Sequence, residues 1–270
     1  INGDIVVQAD GYSSSAEVHV NSFNNWTTDA VVNLNDSDIS VHASGQYSDA
    51  ELYMQNATGT ITSATVGAEG AEGYANLEIS GDVNVNNLTV TASGESSDAY
   101  ANVGTSGNIG DITVTASGDG GYWEDTSAEV NVMGGTLADS NITVTVSGSN
   151  AHGSADVMAS GTIGHAVNGE DTIVHQTVNG GVTAQTVGSA EYSSASIRLM
   201  TDGTINGDIV AQADGRYTSV EVQINTLFPM GEDVSFAGST LIAKATGEDS
   251  DANIAIAQSE GSLGGVIVEA

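Results

Sequence analysis

Apolar and polar residues alternate with a period of two along most of the chain, in short runs rich in Val, Ile and Thr and bounded by Gly. That alternation predicts half-buried β-strands, and no helical period competes with it. Two phrases carry the pattern. One ends in Gly: IVVQADG (5–11), ISVHASG (39–45), LTVTASG (88–94), ITVTASG (112–118), ITVTVSG (142–148), IVAQADG (209–215) and LIAKATG (241–247), with weaker copies ending at Gly70 and Gly188. The other centres on Ala: SSAEVHV (14–20), SDAELYM (48–54), TSAEVNV (126–132), SSASIRL (193–199) and SDANIAI (250–256), with looser copies centred on Ala75, Ala99, Ala155 and Val220. A third, shorter phrase reads GTI at 59–61, 161–163 and 203–205, GNI at 107–109, GTL at 135–137 and GSL at 261–263.

The phrases recur in fixed order. From Gly11 to Gly247 there are eight steps over 236 residues, a mean period of 29.5. Such a period, with equivalent phrases running in the same direction, predicts an all-β, single-stranded parallel β-solenoid (β-helix) of about nine coils, roughly triangular because each coil has three segments. An antiparallel sandwich would also explain the strands, but not identical phrases in fixed order. The expected inward rows are Ile5/Val7/Ala9, Ile39/Val41/Ala43, Leu88/Val90/Ala92, Ile112/Val114/Ala116 and Ile142/Val144/Val146. In six copies the Gly lies five residues before the central Ala or Val, which marks a fixed turn. With strands about 4.8 Å apart, nine coils make a rod about 40 Å long. The whole chain, 1–270, is read as one domain with enlarged coils near 22–35, 164–180 and 226–239. These excursions carry Phe23, Trp26, Phe228, Pro229 and Phe236, and are expected to fold back as small hydrophobic lids.

Composition sharpens this picture. The chain has 34 Gly, no Cys and a single Pro, so its interior must be thin and no disulfide or thiol chemistry is available. Three Lys and Arg against 35 Asp and Glu give a net charge of −32, which excludes a basic footprint for nucleic acid. No apolar run reaches the roughly 18 residues of a membrane span.

Acids crowd the outward positions of the Ala-centred phrase. Aligning the copies places Glu17 beside Glu51 and Glu129 beside Asp156, with Asp119 and Asp125 in a nearby turn. Like charges directly opposite one another are destabilising. An oxygen-only set of this kind suits Ca²⁺, so these six residues are candidate ligands, although no EF-hand loop or GGxGxD repeat is present. An acidic, solvated surface accounts for them as well.

The Gly-ending phrase presents Thr89/Thr91, Thr113/Thr115 and Thr143/Thr145 on successive coils. These paired ranks resemble the ligand face of ice-binding solenoids over three coils. Catalysis has little support: Arg198, Arg216 and Lys244 fall on different coils or faces, and His19, His42, His152, His165 and His175 show no ligand spacing. The chain is read as non-enzymatic. Asn25, Asn35, Asn56, Asn87 and Asn141 stand in glycosylation sequons.

Neither end shows a cap. Ile1 aligns with Ile205, and Leu263, Val266, Val268 and Ala270 align with Ile109, Ile112, Val114 and Ala116. Ile1, Ile5, Val7, Val266, Val268 and Ala270 are therefore the expected surfaces for axial stacking, onto copies of the same chain or adjoining repeats. INGDIVVQADG (1–11) nearly repeats as INGDIVAQADG (205–215). In its Gly-, Ala-, Ser-, Thr- and Asn-rich coils, missing Cys and acidic balance, the chain resembles, at the level of class, the β-helical passengers of bacterial secreted adhesins such as filamentous-haemagglutinin-like proteins. The resemblance implies a cell-surface or extracellular matrix protein whose work is length, stiffness and contact. The expectation is a filament-forming structural protein of adhesion or biofilm matrix, with a solenoid binding ice or polysaccharide as the alternative.

Overall fold

The computed structural model of the chain describes residues 1–21, 31–118, 126–137, 140–147, 151–158, 177–178, 182–187, 190–200, 204–205, 207–226 and 233–270. The protein is all-β, with no helix among the described residues; 17 strands join in one sheet and four in a second.

The strands pair in parallel along three ladders. In the first, the Gly-ending phrases stand in register, Ile5 opposite Ile39, Ile39 opposite Ala64, and so on through Leu88, Ile112, Ile142, Val182, Ile209, Leu241 and Val266. All five expected inward rows occupy this ladder, and the rows from Ile39 to Val146 are buried, whereas Ile5, Val7 and Ala9 on the first rung are half-buried. The weak copy ending at Gly70 supplies a further buried row, Ala64, Val66 and Ala68. Small Ala beside the turn and larger Ile or Leu at the far end keep the interior filled while the chain bends.

The Ala-centred phrases form the second ladder, through Ala16, Ala50, Ala75, Ala99, Ala128, Gly153, Ala195, Val220 and Ala252. Here one expectation is corrected. Gly153, not Ala155, stands opposite Ala128, so the copy SADV is displaced by two residues and Ala155 faces Val130. Strand side chains alternate with period two, so a two-residue slip leaves every residue on its expected face and the hydrophobic pattern does not register it. The five-residue step from Gly148 to Gly153 does.

The third ladder contains Ile61, Val85, Ile109 and Leu137 in the large sheet and Val178, Ile205, Phe236 and Gly261 in the small one. Two more expectations change here. The excursion at 226–239 closes into a regular strand, Val234–Ala237, whose Phe236 is buried at 4% exposure in the core row instead of lying in a lid. Gly261, not Leu263, then occupies the row of Ile205, and Leu263 is exposed; at φ 87° a Cβ on Gly261 would meet the Phe236 backbone oxygen at 2.4 Å, so the position admits no side chain. The end of the 22–35 excursion likewise joins the strand Val32–Ser44 and buries Leu34, and Thr177–Val178 lies inside the 164–180 excursion. Phe23, Trp26, Phe228 and Pro229 lie outside the described residues.

The corner between the first two ladders explains the Gly. At Gly45, Gly70, Gly94 and Gly247 φ lies between 127° and 142°, and a Cβ there would meet the carbonyl oxygen of the Gly one rung before at 1.5–1.6 Å. Each of the first three donates its N–H to the rung that follows: Gly45 to Glu69 O at 2.8 Å, Gly70 to Ser93 O at 2.7 Å and Gly94 to Ser117 O at 2.8 Å. The corner glycines therefore stack as a hydrogen-bonded column that admits no side chain. Beside the column, the inward hydroxyl opening the second phrase satisfies a corner carbonyl in some copies: Ser14 Oγ donates to Ser44 O at 2.8 Å, Ser97 Oγ to Gly94 O at 2.6 Å and Ser193 Oγ to Asp214 O at 3.2 Å, whereas the buried hydroxyls of Ser48, Thr218 and Ser250 have no partner among the described residues. In the copies that make this bond, it accounts for a hydroxyl two residues before the Ala.

Gly70→Ala is expected to destabilise the protein by about 3 kcal/mol or more, the sum of the φ cost and the backbone displacement. Gly11→Ala, whose added Cβ meets nothing within 4 Å but sits at φ 156°, is expected to cost the backbone strain alone, about 1–2 kcal/mol and less than Gly70→Ala. Thermal unfolding followed by circular dichroism checks both.

Candidate functional site

The outward face of the second ladder carries the densest polar chemistry. Three columns run along it: Ser15, Asp49, Tyr74, Asp98, Ser127 and His152 just before the central row; Glu17, Glu51, Asn76, Tyr100, Glu129 and Ser154 just after it; and His19, Tyr53, Glu78, Asn102 and Asn131 two residues further on.

At one end of this face Glu17 and Glu51 stand directly opposite each other, as expected, and His19 joins them. One ligand atom from each of the three lies within 4.8 Å of the others. His19 Nε2 is 3.2 Å from Glu17 Oε2, and its ring stacks on Tyr53 at 5.1 Å and 14°. Ser15 Oγ donates to Glu17 Oε1 at 2.8 Å, Tyr53 OH donates to Glu51 Oε1 at 3.3 Å, and Asn76 Nδ2 donates to Tyr53 OH at 2.8 Å. Asp49 packs beside this set, and its Oδ1 is buried with no hydrogen-bond partner among the described residues.

The electrostatics divide the three acids. Hydrogen bonds from Ser15 and His19 lower the Glu17 pKa. Partial burial, with the Asp49 charge second, raises that of Glu51; partial burial, with the Glu17 charge second, raises that of Asp49. The donor set that would hold a cation here is one imidazole nitrogen and two carboxylates. It differs from the oxygen-only set expected for Ca²⁺ and matches a borderline divalent metal better.

The other proposed ligands do not converge. Glu129 stands opposite Tyr100 and Ser154, and Asp156 stands opposite Asn131 and Arg198, because of the two-residue slip at Gly153. Glu129 instead accepts from Asn131 Nδ2 at 2.8 Å. Asp119 and Asp125 lie outside the described residues.

The Thr ranks are in register: Thr89, Thr113 and Thr143 form one column and Thr91, Thr115 and Thr145 the other. The first column continues to Thr65 and Thr183 in the backbone register, whereas Gly67 and Gln185 interrupt the second. Of the residues expected at the stacking surfaces, Ile5 and Val7 edge the first rung, and Val266 and Val268 edge the last at 51% and 49% exposure. Ile1 is exposed, and its amino group donates to Asn33 O at 2.6 Å; Ala270 is exposed as well. Two of the three cations tie neighbouring rungs, Arg216 to Glu248 at 3.4 Å and Lys244 to Glu269 at 3.0 Å.

Mid-way along the second ladder the sequence reading missed a feature. Tyr74 and Tyr100, on adjacent rungs, place their ring centroids 5.7 Å apart, and beyond them a groove of about 510 Å³ opens toward Ser127 and His152. Burial, reinforced by Tyr53 and Glu51, pushes the Tyr74 hydroxyl up to about 12, so it stays a neutral donor. Only the column containing Tyr100 was followed in the sequence, and the groove needs two columns at once.

No protein-family model, curated protein or solved structure matches the chain.

Raised carboxyl pKa values mean that ionisation of Glu51 and Asp49 opposes folding. The stability they allow is complete below their ordinary pKa values and is lost as pH rises through the raised ones. Glu51→Gln, which keeps an acceptor for Tyr53, is therefore expected to raise Tm at about pH 7, and the gain is expected to vanish near about pH 4. Melting curves of the two proteins across that range test this.

Proposed function

We propose that the chain is a β-solenoid segment of a stiff, non-enzymatic extracellular filament, in which coils of about 30 residues stack along one axis and carry load through hydrogen bonds between rungs. The observation that carries this reading is the unbroken parallel register of the first ladder, ten rungs from Ile5 to Val266 with the same inward rows repeated. Nothing in such a ladder limits its length. The strand Ile5–Asp10 pairs on one side only, with Val32–Ser44, and Gly265–Glu269 pairs on one side only, with Thr240–Thr246, among the described residues. Val6 at 72% exposure and the exposed Val266, Ile267 and Val268 accompany these edges. Such edges accept further parallel strands, from a copy of the chain end to end or from adjoining repeats of the same polypeptide.

The likeness in composition to filamentous-haemagglutinin-like passengers supports a place at the cell surface or in a biofilm matrix. The acidic flanks fit cation bridging between rods, by Ca²⁺ among others, and Asn35, Asn56, Asn87 and Asn141 are exposed sequons that glycans would reach.

Electron microscopy of the purified chain is expected to show uniform rods, and side-by-side bundles that separate in chelator. Gly11→Ala serves as the specific control. The added Cβ at each corner Gly points toward the preceding rung, and at Gly11 it points into open space. This variant is expected to melt only a few degrees below the parent, from backbone strain at φ 156°, yet form no rods. Rods of parental length from Gly11→Ala, or isolated particles about 40 Å long from the parent at high concentration, contradict end-to-end stacking.

A further inference from the structure

We propose that the groove beside Tyr74 and Tyr100 is a binding site for a cationic amino-sugar polymer. The site arises from a size pattern along the second ladder. Two large rings on adjacent rungs are followed by the small Ser127 and then by His152, so the outward face dips between the rings and the imidazole. The rings sit 5.7 Å apart at a tilt of 45°, a platform about the length of one pyranose ring.

The polar groups are already held in place. Tyr100 OH lies 3.0 Å from Ser127 Oγ, and Ser127 Oγ donates to Asp98 Oδ1. Asp98 and Glu72 both line the groove, and neither the second oxygen of Asp98 nor the Glu72 carboxylate accepts a hydrogen bond among the described residues. Aromatic faces beside unpaired carboxylates recognise an ammonium group, through the ring quadrupole and direct charge attraction. The C–H face of a sugar ring packs on the same Tyr surface, and its hydroxyls meet Ser127 and Asp98. A net charge of −32 repels uronic or sulfated glycans and favours a cationic one. A Lys-rich peptide fits less well, because the strands bearing the groove are paired on both sides and offer no edge for strand addition.

Calorimetry of the full chain with a short glucosamine oligomer, its N-acetylated counterpart and a lysine oligomer of equal charge tests the site. The glucosamine oligomer is expected to bind about tenfold more tightly than either of the others, and Tyr100→Ala is expected to weaken it about tenfold. Glu72→Gln is expected to weaken it severalfold, while Glu221→Gln, which removes the same charge elsewhere on the face, leaves it unchanged; this pair decides the matter even if Tyr100→Ala fails to fold. Equal loss in Glu72→Gln and Glu221→Gln would reduce the effect to diffuse attraction and overturn the proposal. So would equal affinity for the N-acetylated oligomer, and so would a lysine oligomer that binds as tightly and with the same dependence on Tyr100.

Discussion

Everything in this fold hangs on how closely one rung approaches the next at a single corner. The glycine column leaves no room for a Cβ, since the carbonyl oxygen of the preceding Gly occupies its place at about 1.5 Å. That contact sets the vertical spacing, and the N–H groups of Gly11, Gly45, Gly70, Gly94 and Gly118 each donate to the following rung. With the corner fixed, the strands on either side have one parallel register open to them: a one-residue slip would turn the inward Ile, Val and Ala outward, and a two-residue slip would take the Gly out of its column. The Ser14 and Ser97 hydroxyls then donate to corner carbonyls, Ser44 O and Gly94 O.

Register, in turn, makes the surface. Because each outward residue sits one strand spacing from its counterpart, the chemistry of the face is a matter of columns. Glu17 over Glu51 is repulsion built into the register, eased by Ser15, His19 and Tyr53. Tyr74 beside Tyr100 is a platform built the same way. Lys244 and Arg216 join neighbouring rungs to acids, but exposed pairs of this kind add little stability, so the inward rows and the hydrogen-bonded corners carry the fold.

Much of this was legible in the chain before its structure. The inward rows are repeated nearly verbatim, so Ile39/Val41/Ala43 and Ile112/Val114/Ala116 could be aligned by eye, and the five-residue step from Gly to Ala located the corner. Where the reading failed, the cause was parity or size. Ala155 lies two positions from its expected place along the same rung, a slip that preserves every face, and the observed register carries Asp156 away from Glu129. Phe236 reads as part of a lid because large aromatics are rare in these repeats, whereas Val234–Ala237 pairs into the third ladder and sets Phe236 opposite Ile205 in the core row. His19 was noted but left out of the Glu17 and Glu51 set, since two residues along a strand looks distant until the side chains share a face.

The most direct measurement of the central claim is a set of spin-label distances along one outward column. The chain has no Cys, so labels go only where they are placed. Ser40, Thr113 and Ile242 belong to one column of the first ladder, Thr113 three rungs and Ile242 seven rungs from Ser40. The account predicts separations of about 14 and 34 Å, in proportion to the number of rungs. Separations that do not grow with rung number would contradict it, as they would for strands folded back on one another in a sandwich.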